Sequence, residues 1–137
     1  MDCSLCSALK EDFRLILEDD FSFCIVCKFP LKEGHLLVLP KRHVNDFLSL
    51  NENESKSLLD MTEKIKRASS KVFKEDAIYF QNTGNHSTEQ HLHLHGLPSK
   101  GNLRKLISTF EGVPERQDIS DKEKKIVRDL LKKEIDN

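Results

Sequence analysis

The run His91-Leu92-His93-Leu94-His95 alternates polar and apolar residues with a period of two. Residues two apart share a face only in an extended strand; on a helix they diverge. The run therefore calls for a strand whose leucines enter a core while three imidazoles line the opposite face, about 6.8 Å apart. A strand built for stability alone does not gather three of the chain's six histidines on one stripe. Two chemistries suit that stripe. Histidines at H-x-H spacing can converge on a metal ion. Alternatively, the middle imidazole is a nucleophile or acid–base group, and its neighbours set its tautomer and charge. Spacing alone leaves both open.

A strand of this kind needs partners, and the chain supplies them. Phe13–Glu18 and Phe21–Lys28 (FSFCIVCK) read as strands, the second rich in aromatic and β-branched residues. Pro30 to Gly34 makes a turn, and His35–Leu39 reads as a third strand ended by Pro40. Leu58, Met61, Ile65, Ala68 and Val72 keep the spacing of one helix face, with Asn51 or Asn53 as the N-cap. Ala77–Gln81 reads as a strand and Asn82–Gln90 as a loop leading into HLHLHGL. A short helix around Ser4–Glu11 and a C-terminal helix from Ser120 to Ile135, with Ile126, Leu130 and Leu131 on one side, complete the reading. The early connections look like hairpins, which favours an α+β fold with a mainly antiparallel sheet over a doubly wound parallel one.

With 137 residues the chain suits one domain, expected over 1–137 with a core over about 3–110 and the last helix over about 120–135. Its 22 basic and 23 acidic residues leave a net charge of -1, which makes no electrostatic case for nucleic acid or an anionic membrane. No apolar run approaches the length of a membrane span. The N-terminal stretch MDCSLCSALKEDFR lacks the apolar region of a signal peptide, so a cytoplasmic protein is expected. Four cysteines in such a chain point to thiols or metal ligands rather than disulfides. They form two C-x-x-C pairs, Cys3/Cys6 and Cys24/Cys27. Positions three apart on a strand face opposite sides, so Cys24 and Cys27 cannot both join Cys3 and Cys6 on one ion. Cys24 reads instead as a small buried apolar residue.

HLHLHGL resembles the His-φ-His-φ-His-φ-φ signature of the histidine triad family, and EGHLLVLPKRHV resembles that family's G-H-x-L-V-x-P-x-x-H segment. LILEDDFSF and FQNTGN follow the same order, so the likeness covers about residues 3–100. The resemblance implies a five-stranded, mainly antiparallel sheet with flanking helices. It also implies a hydrolase of dinucleoside polyphosphates or nucleoside phosphoramidates that forms a covalent nucleotidyl–histidine on His93. His91 would orient His93 through its carbonyl, and His95 would donate to a phosphate or bridging oxygen. Asn82 and Thr88 would contact phosphate and leaving group. Transferase relatives carry Gln in place of the third histidine, so His95 favours hydrolysis. The likeness further implies a structural zinc on Cys3, Cys6, His43 and His91, no organic cofactor, and a homodimer. Where such proteins carry an Asp or Asn for the ribose, eight residues before His35, this chain has Cys27, so Asp19, Asp20 or another group would have to substitute. Lys100 lies either near the phosphates or on a solvated turn. A nucleotide-binding or signalling module with little turnover is the alternative function, and a zinc-stabilised structural domain a further one.

Overall fold

The computed structural model describes residues 3–80 and 90–136. These form two compact units, Met1–Lys100 and Gly101–Asn137. The first opens with helix α1 (Ser4–Ala8), followed by strands β1 (Leu15–Glu18), β2 (Ser22–Val26) and β3 (Leu36–Pro40). A 3-10 turn at Phe47–Ser49 leads into helix α2 (Glu52–Phe73), then β4 (Asp76–Phe80) and β5 (Leu94–Ser99). The strands make one five-stranded sheet in the order β1-β2-β3-β5-β4, with every neighbouring pair antiparallel. The expected α+β architecture is present.

The local chemistry of the hairpins and caps is explicit. The Asp19 carboxylate accepts from the Phe21 and Ser22 N–H groups, each at 2.8 Å, and thereby closes the β1–β2 turn. Ser57 of α2 donates to the same carboxylate, which ties that turn to the helix. Asn51, rather than Asn53, caps α2, and Glu54 completes a capping box. The buried stripe of α2 is Leu58, Met61, Ile65 and Ser69; Ala68 and Val72, expected on that stripe, are exposed towards the helix's C-terminal end. Strand β1 begins at Leu15 instead of Phe13, because the Glu11 carbonyl accepts from the Arg14 and Leu15 N–H groups and closes a turn there.

Two apolar layers flank the sheet. Cys24, Leu36, Val38 and Leu92 pack with Leu58, Met61 and Ile65 on the α2 side. Phe23, Ile25, Leu37 and Leu39 pack with Leu5 and Ala8 on the α1 side. Strands covered on both faces need apolar residues at every position, which is why FCIV and LLVL show no alternation. Cys24 is fully buried in the α2-side layer, and burial pushes its thiol up to about 12. Cys27 packs against the other layer, so the two thiols do face opposite ways.

The histidine run differs from expectation in one respect. Strand β5 starts at Leu94, and His91 to His93 precede it. There the chain bonds to the segment after β3, with the Leu92 N–H donating to the Val44 carbonyl at 2.7 Å. The alternation persists all the same. Leu92 and Leu94 join the α2-side core, while His95 pairs in register with Leu37 of the α1-side layer.

In the second unit, Asn102 caps helix α3 (Leu103–Glu111), which ends at Gly112 with φ +68. The Ser120 hydroxyl accepts from the Glu123 N–H at the start of helix α4 (Asp121–Asp136). The C-terminal helix matches expectation. The sequence reading missed α3, although the spacing of Leu103, Leu106, Ile107 and Phe110 signals it.

Candidate functional site

On the α1 side of the sheet lies a cavity of about 510 Å³ whose lining includes His35, His93 and His95. Its size is that of a small-molecule site. His93 turns Nδ1 onto the His91 carbonyl at 2.6 Å. A carbonyl can only accept, so the His93 proton sits on Nδ1 and a lone pair remains on Nε2.

His95 is held in the opposite tautomer. The Leu31 N–H donates to His35 Nδ1 at 3.0 Å, which leaves the His35 proton on Nε2. That nitrogen lies 2.9 Å from His95 Nδ1 and donates to it. The His95 proton is therefore on Nε2. Burial, followed by the charges of His93 and His35, lowers the His95 pKa to about 4, so the ring stays neutral near pH 7. Burial also lowers the pKa of His35. With the ring centroids 5.1 Å apart, His93 Nε2 and the His95 Nε2–H stand side by side, an acceptor position next to a hydrogen-bond donor. His35, placed from sequence only at the start of the third strand, is the donor to His95.

A second cluster forms where α1 meets the start of the histidine run. One ligand atom from each of Cys3, Cys6, His43 and His91 lies within 4.8 Å of the others. His91 is fully buried, and its Nε2 donates to the Pro40 carbonyl at 2.8 Å, so its Nδ1 lone pair turns to the thiols. Cys3 Sγ and Cys6 Sγ lie 3.6 and 3.4 Å from that nitrogen, and Cys6 Sγ lies 3.3 Å from His43 Nδ1. A tetrahedral ion with metal–sulfur and metal–nitrogen bonds of about 2.3 and 2.05 Å holds neighbouring S and N about 3.5 Å apart. The four side chains therefore fit such an ion as they stand. Cys24 and Cys27 take no part.

A match to the HIT domain family model spans residues 9–102, and with it the whole cavity strip from Glu11 to His95. The chain belongs to the HIT family. It is similar to an adenosine 5'-monophosphoramidase of Saccharomyces cerevisiae, with 29% identity over 96% of this chain and 82% of the relative. An uncharacterized HIT-like protein of Mycobacterium tuberculosis is 30% identical over 86% of this chain and 84% of its own. Among solved structures, a hypothetical histidine triad nucleotide-binding protein of Sulfolobus tokodaii shares 26% identity at a TM-score of 0.65, covering 73% of this chain and 71% of that one. A HIT family protein of Bacillus anthracis shares the fold, with a TM-score of 0.71 over 98% of this chain and 96% of that one at 19% identity. Among the described residues no helix is long and apolar enough to cross a membrane.

Other sequence-predicted residues fall elsewhere. Asn82 and Thr88 lie outside the described residues. Asp19 and Asp20 line a separate recess with Ser57 and Asn53, and Asp19 is occupied by the β1–β2 turn, so neither reaches the histidine cavity. Lys100 lines another recess, with Ser70 and Lys74. Sequence reasoning missed Glu11 and Arg14, which line the cavity and pair with one another. An arginine heading the apolar run Leu15-Ile16-Leu17 was the available signal, since a charged group there is buried only with a partner.

Proposed function

We propose that this HIT-family chain hydrolyses a nucleoside phosphoramidate or dinucleoside polyphosphate at the α-phosphorus, through a covalent intermediate on His93. The observation that carries the reading is the pair of opposite tautomers, lone pair on His93 Nε2 and proton on His95 Nε2. His93 Nε2 attacks phosphorus, a P–N bond forms, and the bond to the leaving group breaks with its electron pair. Solvent protonates the leaving amine or phosphate. The His93 ring becomes a cation in this step, and the His91 carbonyl on its Nδ1–H stabilises that charge. His95 donates from Nε2 to a phosphate or bridging oxygen, where negative charge builds. Water then attacks phosphorus, the P–N bond breaks, and His93 recovers its lone pair while the water's proton passes to solvent. Asn82 and Thr88 belong to this proposal as contacts to phosphate and leaving group.

Zinc is the ion we propose for Cys3, Cys6, His43 and His91, because a four-coordinate Cys₂His₂ set closes its coordination sphere. With no open position it would serve structure, anchoring α1 to the chain just before His93. His93→Ala tests the reading. Turnover of a nucleoside phosphoramidate should fall to background while the melting point and nucleoside monophosphate binding persist. Near wild-type turnover in that variant would remove His93 as nucleophile. Binding without turnover by the wild type would favour a nucleotide-binding module.

A further inference from the structure

The cavity is chemically polarised. The imidazoles of His93 and His95 form part of its wall, and the Glu11–Arg14 ion pair forms another part. Glu11 is the one carboxylate among the described residues that line it. The pair is built into the backbone rather than left loose on the surface. Arg14 is buried, and its Nε donates to the Val26 carbonyl at 3.0 Å, immediately before Cys27. Its Nη1 holds Glu11 Oε2, and the Glu11 carbonyl fixes the turn that leads into β1. Both partners are thereby held at the cavity wall.

We infer that Glu11, braced by Arg14, recognises the sugar of the bound nucleotide by accepting hydrogen bonds from its vicinal hydroxyls. The inference rests on the nucleotide reading above and adds the residue that takes the sugar where Cys27 cannot. A carboxylate is acceptor-only and offers about four lone-pair sites, of which Arg14 uses one. It repels a phosphate, so the ligand's anionic end belongs at the imidazoles and its hydroxyl-bearing part at Glu11. The remaining polar walls compete poorly for this task. The Cys27 thiol is a weak acceptor, the Ser4 and Ser7 hydroxyls are uncharged ones, and Lys28 can only donate. The site should therefore prefer ribonucleotides to nucleotides that lack the diol.

Calorimetric titration of the full chain with adenosine 5'-monophosphate and its 2',3'-dideoxy counterpart tests this. Hydrogen bonds to a charged acceptor predict a wild-type preference for the ribonucleotide of about ten- to a hundredfold. In Glu11→Ala and Glu11→Gln that ratio should shrink at least about fivefold. Glu11→Gln keeps the side chain's length and a contact for Arg14, so it carries the test if Glu11→Ala melts early. A wild type that binds both nucleotides equally overturns the inference and leaves the nucleotide reading standing. So does a preference that survives in a folded Glu11→Gln. No binding of either nucleotide by the wild type would overturn both.

Discussion

Replacing His35 by Phe removes a ring that touches no substrate in the proposed reaction, yet it should slow catalysis. Phe fills a similar volume in this buried position and lacks both nitrogens. Two contacts vanish: the Leu31 N–H loses its acceptor, and His95 Nδ1 loses its donor. The first loss acts on stability, at about 0.5–1.5 kcal/mol, because Leu31 is exposed and its N–H can turn to water. The second acts on the tautomer of His95. A hydrogen bond worth about 0.5–1.5 kcal/mol no longer holds the proton on Nε2. That bias corresponds to roughly two- to twelvefold in kcat. The ceiling is the loss of an oxyanion donor altogether, about a hundred- to a thousandfold. Steady-state kinetics on a nucleoside phosphoramidate gives the rate, and ¹⁵N spectra of the imidazoles give the tautomer. His35→Gln, whose amide can still donate, should recover part of the rate. An unchanged kcat in folded His35→Phe, or a His95 ring protonated on Nε2 without His35, would refute the tautomer argument.

The protein purified without chelators should carry about one zinc per chain with two sulfur and two nitrogen ligands in X-ray absorption; Cys6→Ser should lose the metal and melt earlier, and four sulfur ligands would contradict the site. Folding stability should fall as pH drops from 6.5 towards about 4, because an unfolded His95 binds a proton in that window and the folded one does not. Denaturant titrations across this range should show a shallower slope in His95→Asn, and an identical slope would count against the lowered pKa. Gly34 adopts φ +94, and an added Cβ would meet Pro98 Cγ at 2.6 Å and Phe73 Cε2 at 3.0 Å. Gly34→Ala should therefore cost about 1–3 kcal/mol in a melt and, through the adjoining His35, slow turnover.

The legible parts of this protein were those with short-range signals. Period-two alternation separated Leu92 and Leu94 from the imidazoles before any partner strand was known, and it held even where His91 to His93 lie outside β5. Helix α2 was legible from its apolar spacing and its Asn51–Glu54 cap. The strand's late start was not, because Val44 rather than a sheet neighbour satisfies Leu92 there. Contacts between distant residues carried no local signal. His35 reaches His95 across sixty positions, and nothing in G-H-L-L reveals which nitrogen carries the proton. Likewise, Asp19 and Asp20 offered carboxylates near Cys27 in sequence, but the hairpin turn consumed Asp19 and the cavity's carboxylate proved to be Glu11. Cys3, Cys6, His43 and His91 were named as candidate metal ligands from family likeness, and the fold brings all four together.

The covalent step itself can be read directly. The chain is mixed with a nucleoside phosphoramidate, quenched in base within the turnover time, digested and sequenced by mass spectrometry. One nucleoside monophosphate should be found on His93, lost in acid as phosphoimidazoles are, and absent from His93→Ala. A modified residue other than His93, or no adduct during measurable turnover with burst kinetics absent, would contradict nucleophilic catalysis by the central histidine.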